Sequence, residues 1–188
     1  NGATYLPSLV MQPPMADLSV VAINIKPQGE LNSTTPVVLE VVIQNTGMAE
    51  AKPGFWVDLF INPISEPPNQ AGTVWSDLCR SAACVDDLGI SWYVATNLLP
   101  GEKLTLTSQR MTDPYIYLPK THWNNTLNAG DVTMWAYVDS WNGRNVPWGW
   151  VGEIVETNNR GGPVSRNVPV GKPQYPFSAA QLPAIESD

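Results

Sequence analysis

The side chains that could carry out catalysis are few in this sequence. His122 is its only histidine, and no G-x-S-x-G turn or similar nucleophile accompanies it, so a catalytic triad is not expected. Two pairs of carboxylates, Asp86 with Asp87 and Glu153 with Glu156, are the candidates for the acid and base of a glycosidase. Neighbouring residues on a strand point to opposite faces, and nothing in the sequence predicts a raised pKa at either pair. We therefore expect no enzyme, and a structural or surface role for His122.

The two cysteines stand close together, as Cys79-Arg-Ser-Ala-Ala-Cys84. This spacing matches neither a C-x-x-C redox pair nor half of a zinc site, since His122 alone is left to complete the ligands. We predict a disulfide between Cys79 and Cys84. On the chain-entropy estimate so short a loop gains only about 2 kcal/mol, enough to fix a loop but not to hold the fold. A disulfide also indicates an oxidising, extracellular or cell-surface location.

Three tryptophans, Trp141, Trp148 and Trp150, lie within the segment 141–150. Aromatic rings offer flat faces on which sugar rings stack, so this segment is a candidate surface for a glycan or another partner. Two other roles stay open from the sequence. The rings could close one end of the fold, or they could lie in a protein interface, where tryptophan is enriched.

The composition excludes two classes of partner. The net charge is −7 and the ten Lys and Arg residues are scattered singly, so the basic patch that nucleic acid or an anionic membrane requires is missing. No run of about 18 to 20 apolar residues predicts a membrane span. The first residue is Asn1 rather than Met, from which we expect a processed form. Only 14% of residues are charged, whereas 18 prolines and 14 glycines favour short strands and many turns.

The alternation of apolar and polar residues predicts seven or eight short strands and no long helix. In the first strand we expect Val21 to share one face with Ile23 and Ile25, and Leu18 to lie on the other. The three clearest strands are predicted at 17–26, 37–45 and 54–62. Five further strands are predicted at 90–98, 103–111, 131–141, 151–157 and 164–170.

These strands predict an all-β fold of two antiparallel sheets, packed as an immunoglobulin-like sandwich with extended N- and C-terminal tails. The Cys-Trp-Cys spacing of antibody domains is absent, which excludes that family but not the architecture. We divide the chain into an N-terminal strand or tail (1–15), the sandwich (16–170) and a proline-spaced tail (171–188). A polar, proline-rich insertion at 63–88 holds the cysteines, and we expect it outside the core with one helical turn around 77–83.

Four motifs follow one another along the chain: VIQNTG (42–47), VDLFIN (57–62), LLPGE (98–102), and Val138-Asp139 followed by Glu153, Glu156, Asn158 and Asn159. In this order they resemble the bacterial cell-adhesion-related domain, or CARDB domain. The resemblance covers about residues 16–62 and 97–160. The sequence departs from the family pattern in the long insertion after residue 62 and in Trp148-Gly149-Trp150, which interrupts the closing motif.

The resemblance implies a secreted or surface-displayed β-sandwich module used in adhesion and assembly, without catalysis. If the strands pair as in that family, the oxygen atoms of Asp139, Glu156, Asn158 and Asn159 come together, and calcium prefers such carboxylate and amide oxygens. This reading predicts a calcium site. In the other reading Asn158 and Asn159 cap a turn while Glu156 is solvated. We expect no other cofactor.

An apolar, strand-like segment, residues 4–12, precedes the sandwich and is separated from it by Pro13-Pro14. Burying four or five of its side chains yields on the order of 8 kcal/mol gross. The segment can pair with its own sandwich or with a neighbouring copy, and the stiff proline pair favours the neighbour. The residues that we expect in this subunit interface are Tyr5, Leu6, Leu9, Val10 and Met11.

A strand that is donated head to tail builds an open filament rather than a closed dimer. We therefore expect a non-enzymatic secreted structural protein, the subunit of a self-assembling extracellular filament or pilus, whose partners are copies of itself. The alternative is a surface adhesion or carbohydrate-binding module that uses the Trp-rich loop 141–150 and binds surface glycans or other surface proteins.

Overall fold

The computed structural model describes residues 13–143 and 148–172, apart from the side chain of Ala82. Its strands are β1 (Leu18–Lys26), β2 (Val38–Asn45), β3 (Phe55–Ile61), β4 (Leu88–Val94), β5 (Lys103–Thr107), β6 (Gly130–Val138) and β7 (Arg160–Val168). One sheet has the order β1-β2-β5 and the other the order β4-β3-β6-β7. Every neighbouring pair is antiparallel, which confirms the predicted all-β, two-sheet architecture.

Three predicted features fall outside the described residues. They are the N-terminal segment 4–12 with its expected interface residues, the loop residues 144–147, and residues 173–188 of the C-terminal tail. Donation of the N-terminal strand to a neighbour therefore stays a prediction.

The core lies between the two sheets, and β2 shows how the sequence builds it. Leu39, Val41 and Ile43 are fully buried, while the residues between them are half-buried. This period of two is the pattern of a strand with one face on a core. On the facing sheet Val57 and Leu59 of β3 are also fully buried. The predicted strands at 37–45 and 54–62 are thus confirmed.

The first strand departs from the predicted alternation. A bulge between Val20 and Ala22 shifts the pairing with β2 by one residue. Leu18 therefore lies in the core together with Ile23 and Ile25, whereas Val21 is exposed. The expectation that Val21 shares a face with the two isoleucines was wrong, because a bulge moves every following side chain to the other face.

The predicted strand at 151–157 is absent from the structure. This segment contacts the sheet through one parallel bridge, between Ala16 and Glu153, and the chain then turns before β7 begins at Arg160. Other predicted strands have shifted limits, and β4 is an example. β4 begins at Leu88 and ends at Val94, so Leu98 makes only an isolated bridge to Ala51.

The long connection between β3 and β4, residues 62–87, is called the insertion below. It covers part of the outer face of the four-stranded sheet, and it holds two short 3-10 turns, Trp75–Leu78 and Ala82–Cys84, instead of one helical turn. The predicted disulfide between Cys79 and Cys84 is present. The expectation that the insertion lies wholly outside a core was wrong, because Trp75 is buried against Phe60 and Tyr137 in a small second core.

A glycine on β4 makes room for that second core. The indole ring of Trp75 lies directly over Gly89, where a Cβ atom would come within 2.0–2.5 Å of the ring. The indole Nε1 donates to the carbonyl of Lys120 at 2.6 Å. The far side of the insertion is held by Arg160, which pairs with Glu66 at 2.6 Å and stacks over the ring of Trp135 at 4.8 Å.

Gly89→Ala should destabilise the protein by about 1–3 kcal/mol, the usual cost of overpacking a filled core, because the new methyl group displaces Trp75. Urea unfolding monitored by tryptophan fluorescence measures the change. Gly29→Ala is the matched control, since no atom lies within 4 Å of the position of its Cβ. An equal stability of the two variants would contradict the packing of Trp75 on Gly89.

Candidate functional site

The insertion covers a carboxylate that an ordinary sandwich would leave in water. Asp58 lies on β3 with its side chain on the outer face, yet it is fully buried. Its Oδ1 accepts a hydrogen bond from Ser91 Oγ at 2.6 Å and one from the backbone N–H of Trp75 at 3.4 Å, and its Oδ2 accepts one from Ser140 Oγ. Burial raises the pKa of Asp58 to about 6, although these three hydrogen bonds oppose the rise.

A row of aromatic side chains crosses the same outer face; we call it the aromatic strip. Trp56 is its centre. The ring centroid of Trp56 lies 5.0 Å from that of Tyr93, 5.0 Å from that of Tyr117 and 6.2 Å from that of Trp141. The contacts with Tyr117 and Trp141 are edge-to-face, the arrangement that aromatic pairs prefer.

The strip continues to Trp150. Its Nε1 donates to the carbonyl of Pro53 at 3.2 Å. Gly54 explains the close approach, because both Trp150 Nε1 and the Tyr93 hydroxyl lie within 3.4 Å of the place where a Cβ on Gly54 would stand. The aromatic strip thus consists of Trp56, Tyr93, Tyr117, Trp141 and Trp150.

Strand register and loops position the rings of the strip. Trp56 and Tyr93 are direct partners in the β3–β4 ladder, and Tyr117 is held beside β4 by its backbone N–H, which donates to the carbonyl of Ser91. Trp141 follows the end of β6. Tyr93, Tyr117, Trp141 and Trp150 are all 40–50% exposed, so the strip presents ring surface to solvent.

The structure answers part of the tryptophan prediction. Trp141, Trp148 and Trp150 are each about half exposed, so they do not form the core. The strip brings in Trp56, Tyr93 and Tyr117, which the sequence reading missed because they come from other segments. A glycan or partner contact at Trp141, Trp148 and Trp150 stays a prediction.

A second group of carboxylates lies at one end of the sandwich; we call Asp139, Glu153 and Glu156 the acidic cluster. Asp139 and Glu153 are buried, and Glu156 is half-buried. Asp139 accepts hydrogen bonds from the backbone N–H groups of Trp150 and Val151 at 2.8 and 2.7 Å. Burial raises the pKa of Asp139 to about 7. This carboxylate therefore fixes the Trp-rich loop where it returns to the sandwich.

Glu153 performs the same role at the beginning of β1. Its Oε2 accepts from the backbone N–H of Leu18 at 2.5 Å, and its Oε1 accepts from Asn159 Nδ2 at 2.9 Å. Burial, and then the negative charge of Asp139, raise the pKa of Glu153 to about 9. Burial also raises the pKa of Glu156, whose Oε1 accepts from the Glu153 backbone N–H at 3.3 Å. The expectation of ordinary pKa values at this pair was wrong.

The residues of the predicted calcium site are close in the fold, but their side chains form hydrogen bonds with other protein groups instead of surrounding a common point. Asn158 Nδ2 donates to Asp17 at 2.9 Å, while Asp139 and Glu156 accept from backbone N–H groups. Within residues 13–143 and 148–172, no three Asp, Glu, His or Cys side chains are placed to hold a metal ion. The Oδ1 atoms of Asn158 and Asn159 are buried without a hydrogen-bond partner. Calcium binding stays a prediction.

The other candidate residues have local structural contacts. Asp87 accepts hydrogen bonds from the backbone N–H groups of Arg80 and Ser81 at 3.0 and 2.9 Å, and so holds the disulfide loop. The side chain of His122 is exposed, and its backbone pairs with Gly89 at the edge of β4.

Fold and site together define a two-sheet antiparallel β-sandwich with an aromatic strip on one outer face and an acidic cluster at one end. No protein-family model and no curated protein matches the chain. A crystal structure of a CARDB domain from Pyrococcus furiosus, in complex with di-metal ions, is similar to it: identity is 21%, the TM-score is 0.46, and 84% of this chain and 96% of that chain are covered. A solution NMR structure of the CARDB domain from the same organism has 21% identity and a TM-score of 0.42, over 83% and 95% of the two chains.

The described residues hold no helix with the length and apolar character to cross a membrane.

Glu153 generates a pH dependence whose sign follows from its raised pKa. Its value rises from 4.5 to about 9 on folding, so in this range the folded protein binds the proton more tightly than the unfolded chain. The contribution of Glu153 to the free energy of unfolding is complete below the pKa of the unfolded chain. It is lost as the pH rises through the pKa of the folded protein. The stability of Glu153→Gln, which carries no charge, should therefore depend less on pH than that of the parent. The amide nitrogen of glutamine cannot accept one of the two hydrogen bonds that Glu153 accepts, so the slope with pH is compared rather than the absolute stability.

Thermal unfolding of both proteins from acidic to alkaline pH, with a chelator present, measures this effect. The exposed Glu30→Gln is the control, and its profile should follow that of the parent. Identical slopes for Glu153→Gln and the parent would contradict the assignment.

Proposed function

We propose that this chain is a non-enzymatic extracellular adhesion module that binds carbohydrate through the aromatic strip. The observation that carries the proposal is the row of five rings, in which Trp56 contacts Tyr93, Tyr117 and Trp141. Sugar rings have apolar faces that pack on indole and phenol rings. Neighbouring exposed aromatic rings form the kind of contiguous apolar surface that marks binding sites on soluble proteins.

Hydrogen bonds fasten the strip to the sandwich, which favours binding. Its rings come from two paired strands and from loops that are fastened to them by backbone hydrogen bonds and by Asp139. Side chains that are already ordered lose little entropy when a ligand arrives. The disulfide in the insertion agrees with an extracellular setting, where such bonds persist.

Trp141→Ala and Trp150→Ala should each weaken glycan binding by about fivefold, since one stacking contact contributes on the order of 1 kcal/mol. A glycan array identifies the ligand, and calorimetry compares the variants with the parent. Met111→Ala is the control, because Met111 is 96% exposed and lies outside the strip. An array without any bound glycan, or unchanged glycan affinity in both tryptophan variants, would contradict the proposal.

Assembly through residues 4–12 is the second candidate function, and one observation favours it. β1 is an edge strand that pairs with β2 alone, and beyond Leu18 its outer edge bonds to no other strand of the described residues. An incoming extended segment can add to such an edge through backbone hydrogen bonds. β1 spans nine residues, a length that the segment 4–12 matches. The bulge at Val21 opposes this pairing, since bulges protect edges.

Removal of residues 1–12 tests the second candidate, because it deletes the donor and keeps the sandwich. Under this candidate the full chain forms polymers at high concentration and the shortened chain does not, as judged by light scattering and negative-stain microscopy. Leu9→Lys should act like the deletion, whereas Met111→Lys should leave the polymers intact. A full chain that stays monomeric excludes strand donation and leaves the carbohydrate proposal unaffected.

A further inference from the structure

A cavity of about 210 Å³ opens next to the aromatic strip, under the insertion. Three indole rings line it, those of Trp56, Trp75 and Trp141, and most of its surface is apolar. Trp75 and Asp58 belong to the cavity and not to the strip. The lining residues are Trp56, Asp58, Val74, Trp75, Ser76, Ser91, Lys120 and Trp141.

The wall of this cavity contains the carboxylate of Asp58, which forms no salt bridge among the described residues. The salt bridges of the described residues join Lys26 to Glu40, Lys52 to Glu50 and Arg160 to Glu66. Asp58 takes part in none of them. Its hydrogen-bond donors, the hydroxyls of Ser91 and Ser140 and the N–H of Trp75, are all neutral. A buried carboxylate without a counter-ion is costly, and a bound cation would offset that cost.

The lining selects the kind of cation. A metal ion is strongly hydrated and needs several oxygen ligands, which indole rings do not supply. An alkylammonium group has a low charge density and an apolar surface. It binds to the faces of aromatic rings, most strongly to tryptophan. A cavity lined by three tryptophans and a carboxylate matches such a group in both charge and surface. The net charge of −7 on the whole chain attracts cations as well.

We propose that the cavity beside Asp58 binds an alkylammonium group, such as the trimethylammonium group of choline, between the indole rings of Trp56, Trp75 and Trp141. This site shares Trp56 and Trp141 with the aromatic strip, but it also uses Asp58 and Trp75, which the strip does not contain. Lys120 also lines the cavity without an ion pair among the described residues, so its ammonium group opposes the binding of a second cation.

Calorimetric titration of the full chain with tetramethylammonium chloride and with choline chloride tests the proposal. The neutral alcohol 3,3-dimethylbutan-1-ol has the shape of choline without its charge. Both cations should bind, and the alcohol should bind roughly tenfold more weakly or not at all, since it lacks attraction to Asp58. Equal affinity for choline and the alcohol, or no binding of either cation, would overturn the proposal.

Three variants locate the site. Asp58→Asn should weaken choline binding by about tenfold or more, and Trp141→Ala by roughly fivefold, whereas Lys120→Gln should strengthen it. Met111→Ala is the control on an exposed position outside the cavity. Thermal unfolding checks that each variant is folded; should Asp58→Asn unfold, Trp141→Ala and Lys120→Gln still decide. Weaker choline binding in Lys120→Gln would refute the assignment, because removal of a neighbouring positive charge favours an electrostatically bound cation.

Vesicles of phosphatidylcholine distinguish the sources of such a group. Binding of free choline without binding of the vesicles assigns the cavity to a soluble cation, whereas binding of both shows that it also reaches a lipid headgroup. A variant that loses glycan binding and retains choline binding, or a variant that does the reverse, separates this site from the aromatic strip.

Discussion

The buried carboxylate of Asp58 is the contact on which the outer half of the molecule depends. It accepts hydrogen bonds from Trp75 in the insertion, from Ser91 on β4 and from Ser140 after β6. Three segments that are distant in sequence therefore meet at one side chain. Desolvation makes this arrangement costly, as the raised pKa shows, and several hydrogen bonds at once offset such a cost. Without them the insertion would lose one of its attachments to the sheet, beside the packing of Trp75 and the ion pair of Arg160 with Glu66.

At the end of the sandwich, carboxylates have a different role, in which they accept hydrogen bonds from backbone N–H groups. There the chain from Trp150 to Asn159 joins the sandwich through one bridge, between Ala16 and Glu153, so the backbone N–H groups of Trp150 and Val151 lack ladder partners. Asp139 and Glu153 accept hydrogen bonds from Trp150, Val151 and Leu18 instead. The acidic cluster thus replaces a missing strand, and it connects the Trp-rich loop to the first strand of the opposite sheet.

Much of the sandwich could be predicted from the sequence, because its strands alternate clearly and core burial acts on every second residue. The faces of β1 could not, since the bulge at Val21 arises from pairing with β2 rather than from local preference. The segment 151–157 alternates too, yet Glu153 accepts a hydrogen bond from the backbone of Leu18, and Glu156 accepts one from the backbone of Glu153. Asp58 left one sequence signal: it is the only charged residue in the apolar run FWVDLFI, and a charge inside such a run needs a partner.

The aromatic strip was not visible in the sequence, because its members come from β3, β4 and two loops and meet only when the register is known. Its composition determines how it recognises a ligand. The strip offers ring faces and few charges, and stacking of neutral rings depends little on ionic strength. The cavity beside Asp58 differs, since its attraction to a ligand is electrostatic and is weakened by salt wherever solvent enters. The strip and the cavity share Trp56 and Trp141, yet the salt dependence of ligand binding alone distinguishes them. The reason is that the carboxylate of Asp58, which forms no salt bridge, is buried beside the cavity.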